Sequence, residues 1–199
     1  MNKLVHAVRE TSKYPPEVSL VEQTDIAVAS QLAQHRHHPA VRAVTALCRL
    51  AGKPPLLAVS VVVIASWGLL AGDHRLARRG GYLLASLALA SAFKALIKRA
   101  LSRTRPNVLL DRGVYRVEPL GPDTRPWHAF PSGHTAAAMA LARAVVRCWP
   151  GAWLPAYGGA AAIGLAQVPR GAHYPTDVLA GALVGLAAEA IMNRVLSPD

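Results

Sequence analysis

The 199-residue sequence is poor in aromatic residues, acidic residues and cysteine. Aromatic residues make up 6% of the chain and do not alternate with basic ones, so no surface for stacking nucleic-acid bases is expected and no nucleic-acid partner is predicted. Two cysteines are too few for a disulfide framework. Only 11 acidic residues face 22 Lys and Arg, a net charge of +11. We expect these cations to meet lipid headgroups or a phosphorylated substrate.

The apolar residues are spread less evenly along this chain than in most soluble domains. Hydrophobic residues make up 52% of the chain, charged residues only 17%, and the hydrophobic ones come in blocks. Each block approaches or reaches the ~20 residues needed to cross a bilayer core. We predict an all-α fold, a polytopic transmembrane helical bundle with about five spans. The predicted spans are Pro55 to Gly72, Gly80 to Ile97, Gly133 to Trp149, Ala152 to Val168 and Pro175 to Leu196.

The amino-terminal part differs from the rest in composition. We predict a polar and amphipathic interfacial segment over residues 1–53 and a transmembrane core over residues 54–199. Residues 1–25 lack the apolar core of a signal peptide. From Ile26 to Lys53 acidic residues are absent, and the pattern predicts an amphipathic helix on the membrane surface. Its cations Arg42, Arg49 and Lys53 lie opposite Val44, Leu47 and Ala51.

A histidine-rich tract, residues 35–38, interrupts this segment. Such tracts bind metals in some proteins, but a solvated turn is the favoured interpretation, and no metal site is predicted.

The end of the second predicted span is rich in cations. Lys98 and Arg105 are seven residues apart, so a continuous helix would place them on nearly the same face before Pro106 disrupts it. The connection from Asn107 to Ala129 is long enough to be a binding loop or lid without structure of its own. Three further cations, interpreted as snorkelling to headgroups, are Lys94, Arg99 and Arg103.

A polar turn, Pro131 to His134, opens into the third predicted span. Ser132 is a good N-cap, and the first amides of the following helix, beginning at Gly133, lie at the positive end of its dipole. Such a helix start is suited to bind an anion such as phosphate. His134 would lie beside that anion.

A second histidine precedes the last predicted span. His173 and Asp177 are four residues apart, close enough for the carboxylate to accept the imidazole N–H. This bond would fix the tautomer and leave the other ring nitrogen free to attack an electrophile. Alternatively, both residues are simply helix caps.

The number of crossings brings these stretches together. Two crossings separate the start of the third span from the end of the fourth, so both lie on the same membrane side. With five spans the amino terminus is on that side too, and its excess of cations favours the cytoplasm. A sixth span within Ile26 to Lys53 would reverse this orientation. The residues expected to converge are Lys98, Arg105, Ser132, His134, Arg170, His173 and Asp177.

These motifs resemble those of the type 2 phosphatidic acid phosphatases, membrane lipid phosphatases that share a helical core with vanadium haloperoxidases. The family's first motif is Lys, six residues, Arg-Pro, which Lys98 to Pro106 matches, and its second is Pro-Ser-Gly-His, at Pro131 to His134. Its third ends in His, three residues, Asp, at His173 and Asp177. The Ser-Arg pair that opens the third motif is replaced by Ala166 and Gln167. Arg170 is the candidate substitute for the missing arginine.

The resemblance implies a metal-independent and cofactor-free lipid phosphatase of the bacterial inner membrane. The implied substrate is phosphatidic acid, phosphatidylglycerol phosphate or a polyprenyl phosphate or diphosphate. His173 is the implied nucleophile, Asp177 its orienting carboxylate and His134 the acid and base. The alternatives are an impaired relative that only binds phospholipid, and a haloperoxidase, which is disfavoured because those enzymes are soluble. The implied phosphate-binding residues are Lys98, Arg105, Ser132, Gly133 and Arg170.

Overall fold

The computed structural model describes residues 19–122 and 124–197. The predicted helical bundle is confirmed, with the addition of one small antiparallel hairpin, β1 and β2. Short 3-10 turns lie at Arg125–Trp127 and Pro150–Ala152. The elements in chain order are α1 (Leu20–Ala33), α2 (Pro39–Ala51), α3 (Pro54–Leu70), α4 (His74–Ala100), β1 (Leu101–Arg103), α5 (Pro106–Arg112), β2 (Val117–Pro119), α6 (Gly133–Cys148), α7 (Trp153–Leu165) and α8 (Pro175–Val195).

Helix α6 lies at the centre of the bundle, in contact with α4, α7 and α8. Small side chains allow this close packing, because Ala90 of α4, Ala140 of α6 and Ala188 of α8 meet with no exposed surface. On α8, a Cβ atom at Gly181 or Gly185 would collide with backbone oxygens at the start of α6. The glycines therefore let the backbones of α6 and α8 approach closely, as is typical of transmembrane helices.

All five predicted spans fall on helices of the structure. Helices α4 and α8, of 27 and 21 residues, are long and apolar enough to cross a membrane by themselves, and α2 with α3 forms a third candidate bent by 49°. Helices α6 and α7 are shorter, with 16 and 13 residues. The count of five crossings, and the orientation derived from it, stay predictions.

The single amphipathic helix predicted for Ile26 to Lys53 is wrong, because two helices, α1 and α2, occupy this region and a turn at residues 34–38 separates them. In that turn His38 is the N-cap of α2 and its ring accepts a hydrogen bond from the Ala40 amide. Helix α2 has the predicted amphipathic pattern, but α1 packs against α5 and α8. The boundary at residue 53 stays a prediction, and residues 1–18 lie outside the described part. The buried residues of α1 are Asp25, Ile26, Ala29, Ser30 and Ala33.

The connection between α4 and α6 has structure of its own, contrary to the prediction of an unstructured loop. Strand β1 pairs with β2 in antiparallel register, with Ser102 opposite Glu118. Helix α5 lies between the two strands in the chain. This connection therefore forms a folded cap over one end of the bundle rather than an open lid.

Candidate functional site

The first predicted motif has different geometry from that expected. Helix α4 ends at Ala100 and the chain continues as strand β1, so Lys98 and Arg105 do not share a helical face. Lys98 lies in the last turn of α4, where its Nζ donates a hydrogen bond to the carbonyl of His128 at 2.7 Å. Arg105 is the N-cap residue of α5, and its amide donates to the carbonyl of Pro126. The hairpin, not a continued helix, brings Arg105 to the end of the bundle.

The second motif begins α6 as predicted, but Ser132 does not cap it with its side chain. The Ser132 hydroxyl accepts a hydrogen bond from Thr135 Oγ1 at 2.9 Å, and its amide donates to the Asp177 carbonyl at 2.9 Å. Ser132 has no exposed surface. Gly133 is the first residue of the helix, with the stem of Lys94 so close that a Cβ atom would lie 2.8 Å from it. The backbone bond from Ser132 to Asp177 joins the starts of α6 and α8.

The third motif places His173 and Asp177 together, but the predicted hydrogen bond between them does not form. His173 Nδ1 lies 3.8 Å from Asp177 Oδ2 and only 2.6 Å from the carbonyl oxygen of Ala129. A carbonyl can only accept, so Nδ1 carries the proton and, in the neutral ring, Nε2 keeps its lone pair. The tautomer needed for attack through Nε2 is thus fixed by a backbone carbonyl, with the Asp177 charge close by.

Burial lowers the pKa of His173 below its ordinary value of 6.5, and the charges of Arg105 and Lys98 lower it further, while Asp177 opposes them. The ring therefore stays neutral at pH values where an exposed histidine is largely protonated. A neutral imidazole is the form that can act as a nucleophile.

Gln167, which occupies the position of the family's arginine, is in contact with Arg170, the candidate substitute. Gln167 is fully buried, and its amide nitrogen donates to the carbonyl of Ile163, one helical turn earlier, at 2.7 Å. Its side-chain oxygen accepts a hydrogen bond from Arg170 Nη1 at 2.8 Å. Gln167 therefore holds the guanidinium of Arg170 in place.

The predicted site residues converge at one end of the bundle. His134 lies within electrostatic range of His173, Arg170 and Arg105. Lys98 interacts in the same way with Arg105 and Asp177. The pKa of Arg170 is lowered by burial and by the neighbouring positive charges of Arg49 and Arg105. The structure thus brings together two histidines, one carboxylate and three cations, while their chemical roles remain predictions.

Arg103 was interpreted as snorkelling to lipid headgroups, and this is wrong. Its side chain is only 5% exposed and lies between two carboxylates, Asp177 at 2.8 Å and Asp25 at 2.9 Å. It also donates to Tyr115 and Thr176. We call this group, Arg103 with Asp25, Tyr115, Thr176 and Asp177, the Arg103 cluster. Arg103 binds Oδ1 of Asp177, whereas His173 lies nearer to Oδ2. The predicted partner of the Asp177 carboxylate was His173, but the structure pairs it with Arg103.

Sequence analysis missed the Arg103 cluster, and the sequence offers only one signal for it. Asp25 is the last acid before the long acid-free stretch. Its partner is 78 residues away in the chain, a separation that no local pattern reveals.

Within residues 19–122 and 124–197, no group of three His, Cys, Asp or Glu side chains is arranged to hold a metal ion. The histidine tract at residues 35–38 contributes instead to capping and to ionic contacts, since Arg36 pairs with Asp111 at 2.8 Å.

Curated relatives are known in bacteria. The lipid A 1-phosphatases of Rhizobium etli and Rhizobium johnstonii are each 32% identical to this chain over 106 residues, or 53% of it. The match covers 45% and 43% of those proteins, so the chain spans about half the length of the curated relatives it matches.

Two solved structures have the same fold. One is LpxE of Aquifex aeolicus, with a TM-score of 0.59, 22% identity and coverage of 85% of this chain and 94% of that one. The other is a transmembrane PAP2 type phosphatidylglycerolphosphate phosphatase of Bacillus subtilis, with a TM-score of 0.61, 20% identity and coverage of 96% and 90%. The sequence profile of the PAP2 superfamily matches residues 79–198, which include all three motifs. Because this region is more than half of the chain, the protein belongs to the PAP2 superfamily.

Proposed function

We propose that the protein is an integral membrane phosphatase that hydrolyses a phosphate ester of a lipid through a phosphohistidine. The observation that carries the proposal is the state of His173. Its Nδ1 donates to the Ala129 carbonyl, and three cations, Lys98, Arg105 and Arg170, lie around it and its partner His134. A neutral, oriented imidazole beside a concentration of positive charge is suited to attack a phosphate group.

In the proposed first step, His173 Nε2 forms a bond to phosphorus while the bond from phosphorus to the lipid oxygen breaks. His134 donates a proton to the leaving oxygen. The positive charge that develops on the His173 ring is stabilised by Asp177, whose carboxylate is 3.8 Å from Nδ1. In the second step His134 takes a proton from water, which attacks phosphorus and releases phosphate and the free histidine.

The phosphoryl oxygens need stabilisation as charge builds up on them, and this electrostatic contribution is the major one in phosphoryl transfer. Lys98, Arg105 and Arg170 supply positive charge, and the amide of Gly133 lies at the start of α6. The Ser132 hydroxyl, which accepts from Thr135, supports that helix start and retains its own hydrogen for donation. No metal ion or cofactor takes part in the proposed reaction.

The proposed substrate is a phosphorylated lipid, and the location is the inner membrane of a bacterium. The lipid A 1-phosphatase relatives support a lipid phosphate ester as substrate. Phosphate release from detergent-solubilised protein, assayed with phosphatidic acid, phosphatidylglycerol phosphate, lipid A and polyprenyl phosphates and diphosphates, identifies the class. The impaired-relative alternative predicts that none of these lipids is hydrolysed.

His173→Ala should abolish phosphate release because it removes the nucleophile, while the fold stays intact. In His134→Ala, the phosphoenzyme should accumulate, detected as acid-labile phosphate on the protein, because water is no longer activated. Chelators should leave wild-type activity unchanged. Full activity of His173→Ala would disprove the assignment, and loss of wild-type activity in EDTA would indicate a metal enzyme.

The third motif is tested by comparing Arg170→Ala with Gln167→Ala. Removing a charged donor to the transition state typically costs on the order of 100-fold in kcat. We expect this loss for Arg170→Ala and a smaller one for Gln167→Ala, which leaves the guanidinium present but without the contact that holds it. If Gln167→Ala were the more damaging change, Arg170 would not be the replacement for the family's arginine.

A further inference from the structure

A cationic cavity lies beside the predicted reaction site, between α2 and Arg170. Its volume is about 510 Å³, and Arg42 and Arg49 of α2 line it together with Arg170. None of the described lining residues is acidic; the others are Pro39, Ala43, Thr45 and Ala46. Guanidinium groups bind phosphate oxygens in bidentate fashion, so three of them around one cavity favour an anionic phosphate as its ligand.

Helix α2 is oriented to present these cations to the cavity. Arg42 and Arg49 are seven residues apart, two helical turns or about 10.5 Å along the axis. The opposite face is apolar and exposed, with Leu47 69% and Val44 57% accessible. In a membrane protein such a face lies in the lipid boundary and the cationic face at headgroup level. The cavity is therefore at the depth where a lipid headgroup enters.

The cavity adjoins the reaction site through two contacts. Helix α2 ends at Ala51, and a Cβ atom on the next residue, Gly52, would lie only 3.4 Å from Cδ2 of His134. Arg170, which lines the cavity, also lies within electrostatic range of Arg105. A headgroup bound at the histidines thus extends naturally along the cationic face of α2.

The charges exceed what one phosphate needs. A phosphomonoester carries about −1.5 to −2 charges at neutral pH, and Lys98, Arg105 and Arg170 already supply three positive ones. Arg42 and Arg49 add two more, on a separate helix. Arg42 and Arg49 are both exposed, so their guanidinium groups are accessible to a second anion.

We infer that Arg42 and Arg49 form a second phosphate-binding subsite, so that the preferred substrate is a lipid whose headgroup carries another phosphate besides the one removed. This inference rests on the proposed function, since it assigns the substrate class of the same site. The second phosphate belongs to the same lipid molecule and lies along α2 while the first lies at His173.

The test compares two lipids with identical acyl chains in neutral detergent micelles. Phosphatidylglycerol phosphate carries a phosphodiester as well as a terminal phosphomonoester, whereas phosphatidic acid carries the monoester alone. We expect the wild type to have the higher kcat/KM for the first. Arg49→Ala and Arg42→Ala should each reduce that preference, for Arg49→Ala by roughly 10-fold or more, the value of one hydrogen bond to a charged group.

The ratio of the two kcat/KM values is insensitive to the amount of folded protein, so a partly unfolded variant still gives an answer. Arg75→Ala is the matched control, because Arg75 is an exposed arginine at the start of α4 that does not line the cavity. It should keep the wild-type preference. An equal loss for both lipids in Arg49→Ala would overturn the inference, because the arginine would then act on the scissile phosphate or on membrane binding.

Two other sources of phosphate are distinguished by additions to the micelles. If phosphatidylglycerol raises phosphatidic acid hydrolysis to the rate of the two-phosphate lipid, and Arg49→Ala prevents this, the subsite binds a neighbouring lipid. If inorganic phosphate raises phosphatidic acid hydrolysis to that same rate, and Arg49→Ala prevents this, the subsite binds free phosphate. Either result overturns the inference.

Binding measurements separate this inference from the proposed function. In the His173→Ala background no turnover is expected. The affinity of this variant for each of the two lipids is therefore measured directly, as the fraction of lipid that stays bound to the detergent-solubilised protein. A preference for the two-phosphate lipid that Arg49→Ala removes supports the subsite. If the wild type bound with this preference but hydrolysed neither lipid, only the proposed function would fail. Equal affinity for both lipids would overturn the subsite.

Discussion

Two groups of buried charge lie on α8, about 18 Å apart along its axis because Asp177 and Glu189 are 12 residues apart. In the Arg103 cluster one arginine binds two aspartates. The second group, which we call the Glu189 cluster, is its inverse: Glu189 binds Arg143 and Arg147 of α6 and accepts a hydrogen bond from Tyr82. The signs of the charges are reversed. The clusters also differ in their relation to the predicted site, because only the Arg103 cluster includes a predicted site residue, Asp177.

The clusters also differ in their access to water. All three charged side chains of the Arg103 cluster are at most 5% exposed. In the Glu189 cluster only the carboxylate is sealed, whereas Arg143 is 37% and Arg147 35% exposed. Removing one partner of a sealed ion pair leaves an uncompensated buried charge, but an arginine at the surface regains water. Breaking the Arg103 cluster should therefore cost more unfolding free energy than breaking the Glu189 cluster.

The largest effect is expected for Arg103→Met, which leaves Asp25 and Asp177 facing each other without a cation. Breaking a buried pair in this way costs about 3 to 5 kcal/mol of unfolding free energy. Activity should fall too, because Asp177 is no longer held. Denaturant unfolding in detergent measures the first effect and phosphate release the second. Arg99→Met, at an exposed position, should change neither, and a stable, active Arg103→Met protein would show that the cluster is dispensable.

A smaller effect is expected for Glu189→Gln. The change removes the negative charge but keeps the shape and one acceptor for Tyr82, and the two arginines reach water. We expect a loss of about 1 to 3 kcal/mol of unfolding free energy, the range for a buried group that loses its hydrogen-bond partner. The kcat/KM per folded molecule should be unchanged. A large loss of activity would mean that the far end of α8 controls the site and would erase the functional difference between the clusters.

The smallest effect concerns Glu22, which extends the Arg103 cluster by accepting a hydrogen bond from Tyr115 at 2.7 Å. Burial by itself would raise the pKa of Glu22, but hydrogen bonds from Tyr115 and Ser19 and the charge of Arg103 lower it below 4.5. A lowered pKa in the folded state stabilises the protein above the unfolded value, and this contribution disappears as the pH falls through the folded value. Since Glu22 is partly exposed, the contribution is only a few tenths of a kcal/mol.

Thermal unfolding as a function of pH tests this last expectation. Wild type and Glu22→Gln should differ slightly near pH 7 and converge as the pH falls below 4.5. A difference that stays constant over this range would show that the carboxylate charge has no part in the stabilisation.

Local patterns in the sequence were sufficient for the five helices that match the predicted spans and for the motif residues. The five apolar blocks correspond to α3, α4, α6, α7 and α8. They are visible in the sequence because a helix that crosses a membrane needs a long, uninterrupted run of apolar residues. The four-residue spacing of His173 and Asp177, and the turn before α6, place those residues near helix starts whatever the rest of the chain does. The sequence alone thus determined the fold class and identified the candidate residues of the site.

Only the tertiary structure decided which groups pair. The partner of His173 Nδ1 is a backbone carbonyl 44 residues earlier, and the two aspartates that bind Arg103 lie 78 residues before it and 74 residues after it. The exit of the chain from α4 into a strand, rather than a longer helix, placed Arg105 and buried Arg103. Helical periodicity tells which residues face inward along one element, but the partner across a helix interface depends on how the elements pack. For that reason the motifs were visible in the sequence and the contacts that orient them were not.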